Sequence, residues 1–228
     1  MGIDFDSFVL TAATADLDDE PAAREHADAV EYRMDLAADP LEGLRAYDGE
    51  LPILATNRAA WEGGEWDGDD DERLAALEEA LATDAVEAID VELESLRSGA
   101  ATDLRTSARD HGVSVVASAH DFEATPDEIE LMDTLSDACE RADVGKLATT
   151  AETRADTLAL LAVTHRLTES GRTVATMAMG EAGSHTRAVA PVYGSKIGYA
   201  PVDPAEATAP GQYDLETLSR LIATLENE

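Results

Sequence analysis

The chain has 228 residues, 44% of them apolar, enough for one sizeable core, but 49 Asp and Glu face only 16 Lys and Arg, for a formal net charge of -33. A field of that sign repels nucleic acid and anionic membranes, so no nucleic acid and no membrane is expected as a partner. The acids are spread along the chain without an acidic tail, which fits a surface adapted to a salty cytoplasm, where salt screens the self-repulsion.

In chain order, short apolar runs rich in β-branched residues alternate with longer stretches of helical spacing. The runs are Phe8 to Ala13, Ala29 to Leu36, Leu51 to Thr56, Ala85 to Leu93, Val113 to Ala119, Asp143 to Ala148, Thr173 to Met179, and a weaker one from Ile197 to Ala200. Between them, Asp70 to Ala82 carries Leu74, Leu77 and Leu81, and Thr153 to Thr168 carries Leu158, Leu161 and Leu167, both at helical spacing. The acidic run Asp67 to Glu72 lacks the spacing of a calcium loop and is expected to be a solvated loop. Thr125-Pro126-Asp127-Glu128 reads as a helix start, with Thr125 as cap and Pro126 at the first helical position. Gly112 and Gly171 stand where helices should end.

The runs are continuously apolar, as buried parallel strands are. About eight strand–helix units with no linker predict an α/β fold, residues 1–228 forming a single (β/α)8 TIM barrel domain; a doubly wound open sheet is the alternative. Cys139 is the only cysteine, so no intrachain disulfide can form. No stretch is apolar enough to cross a bilayer, and the N-terminus has no basic start followed by a long apolar run, so a soluble cytoplasmic protein is expected.

In such a barrel the chemistry gathers at the C-terminal ends of the strands, so polar residues inside or just after the runs are informative. Glu31, Arg33 and Asp35 alternate along the second run and need one another or a ligand. The third run leads to Arg58, followed by Glu62-Gly63-Gly64. The fourth holds Asp90, Glu92 and Glu94, read as lying on one side; pairing with barrel arginines or a metal site are both open. The fifth ends at His120, directly before the helix start. Lysine is scarce, two residues among the sixteen basic ones, yet Lys146 stands in the apolar sixth run. A surface cation there could as well be Arg. A sheltered amine near other cations is instead a nucleophile for carbonyl carbon. After the seventh run, Gly183-Ser184-His185-Thr186-Arg187 could open a helix, which with Arg187 would suit a carboxylate. The long segment holding Thr208 and Gln212 is either a lid or a connector.

Read together, these residues resemble type I 3-dehydroquinate dehydratase. The resemblance runs from Glu31 to Gln212 through Glu31-Tyr32-Arg33-Met34-Asp35, Thr56-Asn57-Arg58, Glu62-Gly63-Gly64, Asp90-Val91-Glu92-Leu93, Ser118-Ala119-His120-Asp121-Phe122, Thr125-Pro126, Lys146-Leu147-Ala148, Met177-Ala178-Met179-Gly180, Arg187 and Ala209-Pro210-Gly211-Gln212. It implies a usually dimeric barrel, needing no metal or cofactor, that dehydrates 3-dehydroquinate to 3-dehydroshikimate in aromatic amino acid biosynthesis. It implies that Lys146 forms a Schiff base with the ring ketone, that His120 is the general acid and base, and that Glu62 orients it. Arg187 would take the substrate carboxylate; Glu31, Arg33, Arg58, Gln212 and Thr208, where the family often has Ser, would contact the ring, with Thr11 a weaker match. His185 has no assigned role and is expected at the surface. A Schiff-base aldolase and a non-catalytic barrel that binds a carboxylic acid are the alternatives. The first is disfavoured because no glycine-rich phosphate loop follows the last strands.

Overall fold

The computed structural model describes residues 3–66, 68–203 and 211–226. The apolar runs become eight parallel strands: β1 (Val9–Thr14), β2 (Ala29–Arg33), β3 (Ile53–Thr56), β4 (Val86–Glu92), β5 (Ser114–Asp121), β6 (Val144–Thr150), β7 (Val174–Met179) and β8 (Ile197–Pro201). They pair in sequence order from β1 to β7, with β8 beside β1. Closure between β7 and β8 is looser: the Lys196 N–H donates to the Val174 carbonyl at 2.8 Å and the Thr176 N–H to Ser195 Oγ at 2.9 Å. The result is the expected (β/α)8 barrel.

Nine helices lie among the described residues: α1 (Glu20–Ala23), α2 (Pro40–Ala46), α3 (Asp70–Ala80), α4 (Leu93–Ser98), α5 (Thr102–His111), α6 (Glu128–Arg141), α7 (Arg154–Glu169), α8 (Thr186–Val189) and α9 (Leu215–Glu226). Strand alternation sorts side chains into an inner and an outer set. Leu10 and Ala12 face outward with Leu215, Leu218 and Ile222 of α9, and Leu147 with Leu131, Leu135 and Leu160 of α6 and α7. Inside, Val9, Ala29, Leu54, Ala88, Val116, Val144, Ala175 and Ile197 form a dry floor. Two residues further along the strands the inner positions turn polar: Thr11, Glu31, Thr56, Asp90, Ser118 and Lys146 are all buried. The floor excludes water from below, so polar groups gather only at the C-terminal mouth.

Several expectations are corrected. α6 is capped by Asp127, whose side chain accepts from the Ile129 and Glu130 N–H groups, not by Thr125. Thr125 instead donates to the Thr150 carbonyl at 2.9 Å, tying the loop to β6. From Asp69 onward the acidic run is the cap and first turn of α3, a placement its dipole favours; Asp67 lies outside the described residues. Glu94 does not share a side with Asp90 and Glu92, because β4 ends at Glu92 and Glu94 is exposed in α4. Leu158 is also exposed, and α7 buries Leu160, Leu161, Val163 and Leu167. Gly112 caps α5 at φ 74°, and Gly171 follows α7 at φ 81°, both as read from the sequence.

Candidate active site

The barrel mouth opens as a cleft lined by Glu31, Arg33, Arg58, Glu62, His120, Lys146, Arg187 and Gln212, with Met177, Met179, Phe122 and Tyr199 as its apolar walls. Eight of the ten candidate site residues therefore meet in one place. Thr11 does not join them: it is fully buried, and its hydroxyl donates to the Gly198 carbonyl at 2.9 Å across the β1–β8 seam. Thr208 lies outside the described residues.

Lys146 sits where β6 carries it into the barrel, opposite Ser118 on β5, and is 4% exposed. Its Nζ donates to Asp90 Oδ2 at 2.8 Å and lies 4.2 Å from the centre of the Tyr199 ring. The sequence put cations near this amine but named no direct partner for it. A carboxylate and an aromatic face position it. Asp90 is shared: its Oδ1 accepts from Arg58 Nη2 at 2.8 Å and from Ser118 Oγ at 2.6 Å. Although burial opposes its charge, Arg58 and Lys146 hold the Asp90 carboxyl well below the usual range.

Arg58 is the hub beneath the cleft, donating also to Glu92 Oε1 at 3.1 Å and Ser118 Oγ at 2.6 Å. The other Glu92 oxygen accepts from Arg73, a fully buried side chain of α3. Asp90 and Glu92 are therefore answered by arginine, serine and lysine. Among the described residues no group of three or more His, Cys, Asp and Glu could hold a metal ion. Arg33 forms a two-point pair with Asp35, at 2.9 and 2.7 Å, and Glu31 Oε1 accepts from the Thr56 hydroxyl at 3.0 Å.

His120, near the end of β5, meets Glu62 through Nδ1 at 2.6 Å and stacks on Phe122 at 5.8 Å. Glu62 reaches it by a compact turn. Gly63 adopts φ 78°, and a Cβ on Gly64 would stand 2.1 Å from the Arg58 carbonyl oxygen, so both positions require glycine. Burial pushes Glu62 up to about 7 against the pull of Arg58. Burial, with Arg58 and Lys146 nearby, drives His120 well below the ordinary imidazole range. The carboxylate fixes the Nδ1–H tautomer, leaving Nε2 as a free base.

Arg187 is 5% exposed, and no carboxylate of the described residues pairs with it. Burial draws its guanidinium down to about 10. It lies in the four-residue α8, so the anion preference rests on its side chain rather than on a helix terminus. His185 just before it is exposed.

Sequence reading passed over three residues. Arg73 had a signal, since it shares a helical face with Leu77 and Ala80. Ser118 had a weaker one, a small hydroxyl on the inner side of β5. Tyr199 had none, because only closure of β8 against β1 brings its ring over Lys146.

An amine and an unprotonated imidazole on neighbouring strands of a parallel barrel, with a guanidinium lining the same cleft that no carboxylate of the described residues pairs with, define an enzyme for carbonyl chemistry on a small anion. The particular family follows from comparison. The model of type I 3-dehydroquinase matches residues 7–228. A 3-dehydroquinate dehydratase of Haloarcula marismortui is 57% identical over 229 residues, covering 99% of this chain and 100% of that protein. Two solved structures superpose on it. The 3-dehydroquinate dehydratase of Geobacillus kaustophilus has TM-score 0.86 and 27% identity, over 97% of this chain and 92% of that one. The type I 3-dehydroquinate dehydratase of Clostridium difficile, solved with covalently modified comenic acid, has TM-score 0.83 and 26% identity, over 97% and 93%. The chain belongs to the type I 3-dehydroquinase family and is a hydro-lyase.

Proposed function

We propose that the chain removes water from 3-dehydroquinate to give 3-dehydroshikimate, through an imine on Lys146 and proton transfers by His120. The observation that carries this reading is the convergence, in one cleft above an apolar floor, of a buried lysine amine, a neutral imidazole held by a carboxylate, and a guanidinium with no counterion among the described residues.

The Arg187 guanidinium takes the substrate carboxylate. The Lys146 amine adds to the ring ketone, and the carbinolamine loses water to leave an iminium. This is an electron sink that makes the neighbouring C–H acidic. His120 Nε2 removes that proton, while Glu62 accepts the Nδ1–H and stabilises the imidazolium. The resulting enamine expels the ring hydroxyl, which takes the proton back from His120 and leaves as water. Hydrolysis of the remaining iminium frees Lys146, so the sum is loss of one water. Glu31, Arg33 and Gln212 face the ring hydroxyls. Arg58, which lines the same cleft, contacts the ring as well and, through donors shared among Asp90, Glu92 and Ser118, holds Asp90 in place. Asp90 orients the amine before attack.

The same reading places residues 1–228 as one domain in the cytoplasm, without nucleic acid as partner and as a homodimer. Ile129, Leu158, Val192 and Tyr193, exposed on neighbouring elements, offer apolar surface for the second copy. Light scattering giving a monomer mass would remove the dimer from the account.

The test of function is turnover. With 3-dehydroquinate in high salt, the enone absorbance of the product grows. Lys146→Ala abolishes it, and His120→Ala slows it by about 10²–10⁴-fold, the range for loss of a general base. Normal turnover by His120→Ala would overturn the base assignment, and carbon–carbon cleavage products would favour an aldolase.

A further inference from the structure

The Tyr199 ring lines the cleft, and its centre lies 4.2 Å from Lys146 Nζ, within the reach of a cation–π contact. The ring comes from β8, beyond β7, and the β7 residue level with Lys146 is Ala175, whose single buried methyl leaves it room. The Tyr199 hydroxyl is sealed from solvent and finds no hydrogen-bond partner, so the position uses the ring rather than the phenol. Burial, with Asp90 and Glu31 adding to it, holds that phenol well above its ordinary value and keeps the ring neutral. The charged groups around the amine come from several elements. Asp90 of β4 accepts its N–H at 2.8 Å, and Arg58, after β3, bonds the same carboxylate at 2.8 Å. His120 of β5 stands beside them, with Glu31, Arg33, Glu62 and Arg187 around the cleft. The Asp90 charge is therefore divided between two cations, and Arg58 opposes positive charge on the nitrogen.

We propose that the face of the Tyr199 ring is a catalytic group of the imine stage, keeping the nitrogen of the Lys146–substrate imine protonated. A neutral imine is a poor electron sink, whereas the iminium acidifies the neighbouring C–H. Once the amine has condensed, one N–H remains for Asp90, whose charge Arg58 shares. The π face adds negative potential over the same nitrogen without being a base. A second carboxylate in its place would supply a stronger field, but it could take the N–H proton and quench the sink. The ring makes and breaks no bond. The proton it helps to retain is one that the lysine nitrogen already carries, and it stays there until the iminium is hydrolysed.

The proposal rests on the imine reading of Lys146, and its test separates the two. The full chain carrying His120→Ala is loaded with 3-dehydroquinate, and the C=N stretch is followed by Raman spectroscopy against pH in light and heavy water, since only a protonated imine shifts on deuteration. In this background Tyr199→Phe keeps the ring, and its mono-, di- and trifluorinated phenylalanine counterparts keep the ring's shape while draining negative potential from its face. The midpoint for loss of the iminium should hold in Tyr199→Phe and fall with each added fluorine, by about one pH unit in all. It should fall at least as far in Tyr199→Leu. With His120 intact, the alkaline limb of kcat should move the same way, while the rise of kcat/KM through about 7, set by Glu62, stays in place. A midpoint indifferent to fluorination, or unchanged in Tyr199→Leu, would overturn the proposal and leave the imine standing. No C=N band at any pH, with no borohydride adduct on Lys146, would overturn both.

Discussion

Glu62 is the residue whose titration is most exposed to experiment. Its carboxyl, raised to about 7 by burial, must be ionised to accept the Nδ1–H of His120 and leave Nε2 able to take a proton. kcat/KM is therefore expected to rise with pH through about 7, because the free enzyme gains its competent base as Glu62 loses its proton. In Glu62→Gln that rising limb disappears and turnover falls. A pH–rate profile with the limb intact would show that another group titrates. His120 itself adds no limb near neutrality, since it is already unprotonated there. Lys146 and His120 were legible in the sequence because each is a rare polar residue at a defined place in an apolar run. Asp90 was legible as a buried acid but not as the partner of the amine, because its partner lies on a strand two places away in the sheet.

At the scale of elements, the site depends on one turn and one clamp. The Glu62-Gly63-Gly64 turn folds back against the Arg58 carbonyl, and Gly64→Ala would drive a Cβ into that backbone oxygen. Glu62 is then displaced from His120, and the variant should lower kcat while leaving the fold melting as one unit; an unchanged kcat would contradict this role. The clamp is Arg73, which reaches from α3 under β4 to Glu92 and leaves that carboxylate short of a partner when removed. Arg73→Met is expected to cost about 3–5 kcal/mol, measured by denaturant unfolding in high salt. Replacing the true cap of α6, Asp127→Ala, should cost about 1 kcal/mol. The element boundaries were readable to within a few residues, because floor and flank are both apolar and end where the chain turns polar. The cap was misplaced because Thr125 satisfies a carbonyl of β6 that only the folded barrel brings near.

For the whole molecule, the alternation of eight apolar runs with helical stretches already selected a closed parallel barrel, and the structure differs mainly in its seam. Closure between β7 and β8 rests on few backbone bonds and on Ser195, which no strand pattern announces. The net charge of -33 acts at the same scale. Repulsion among exposed acids reaches about 10 Å at 0.1 M salt and about 3 Å at 1 M. The melting temperature should therefore climb with potassium salt across that range, as followed by circular dichroism. A flat response would mean that the acids are balanced locally.

The central claim is that a single amine, Lys146 Nζ, bonds covalently to the substrate. With only two lysines in the chain, borohydride reduction in the presence of 3-dehydroquinate followed by peptide mass mapping is a direct measurement. The account predicts one adduct, on the peptide carrying Lys146, retained in Lys196→Arg and lost in Lys146→Ala. An unmodified Lys146 in a chain that still turns over, or an adduct confined to Lys196, would contradict it.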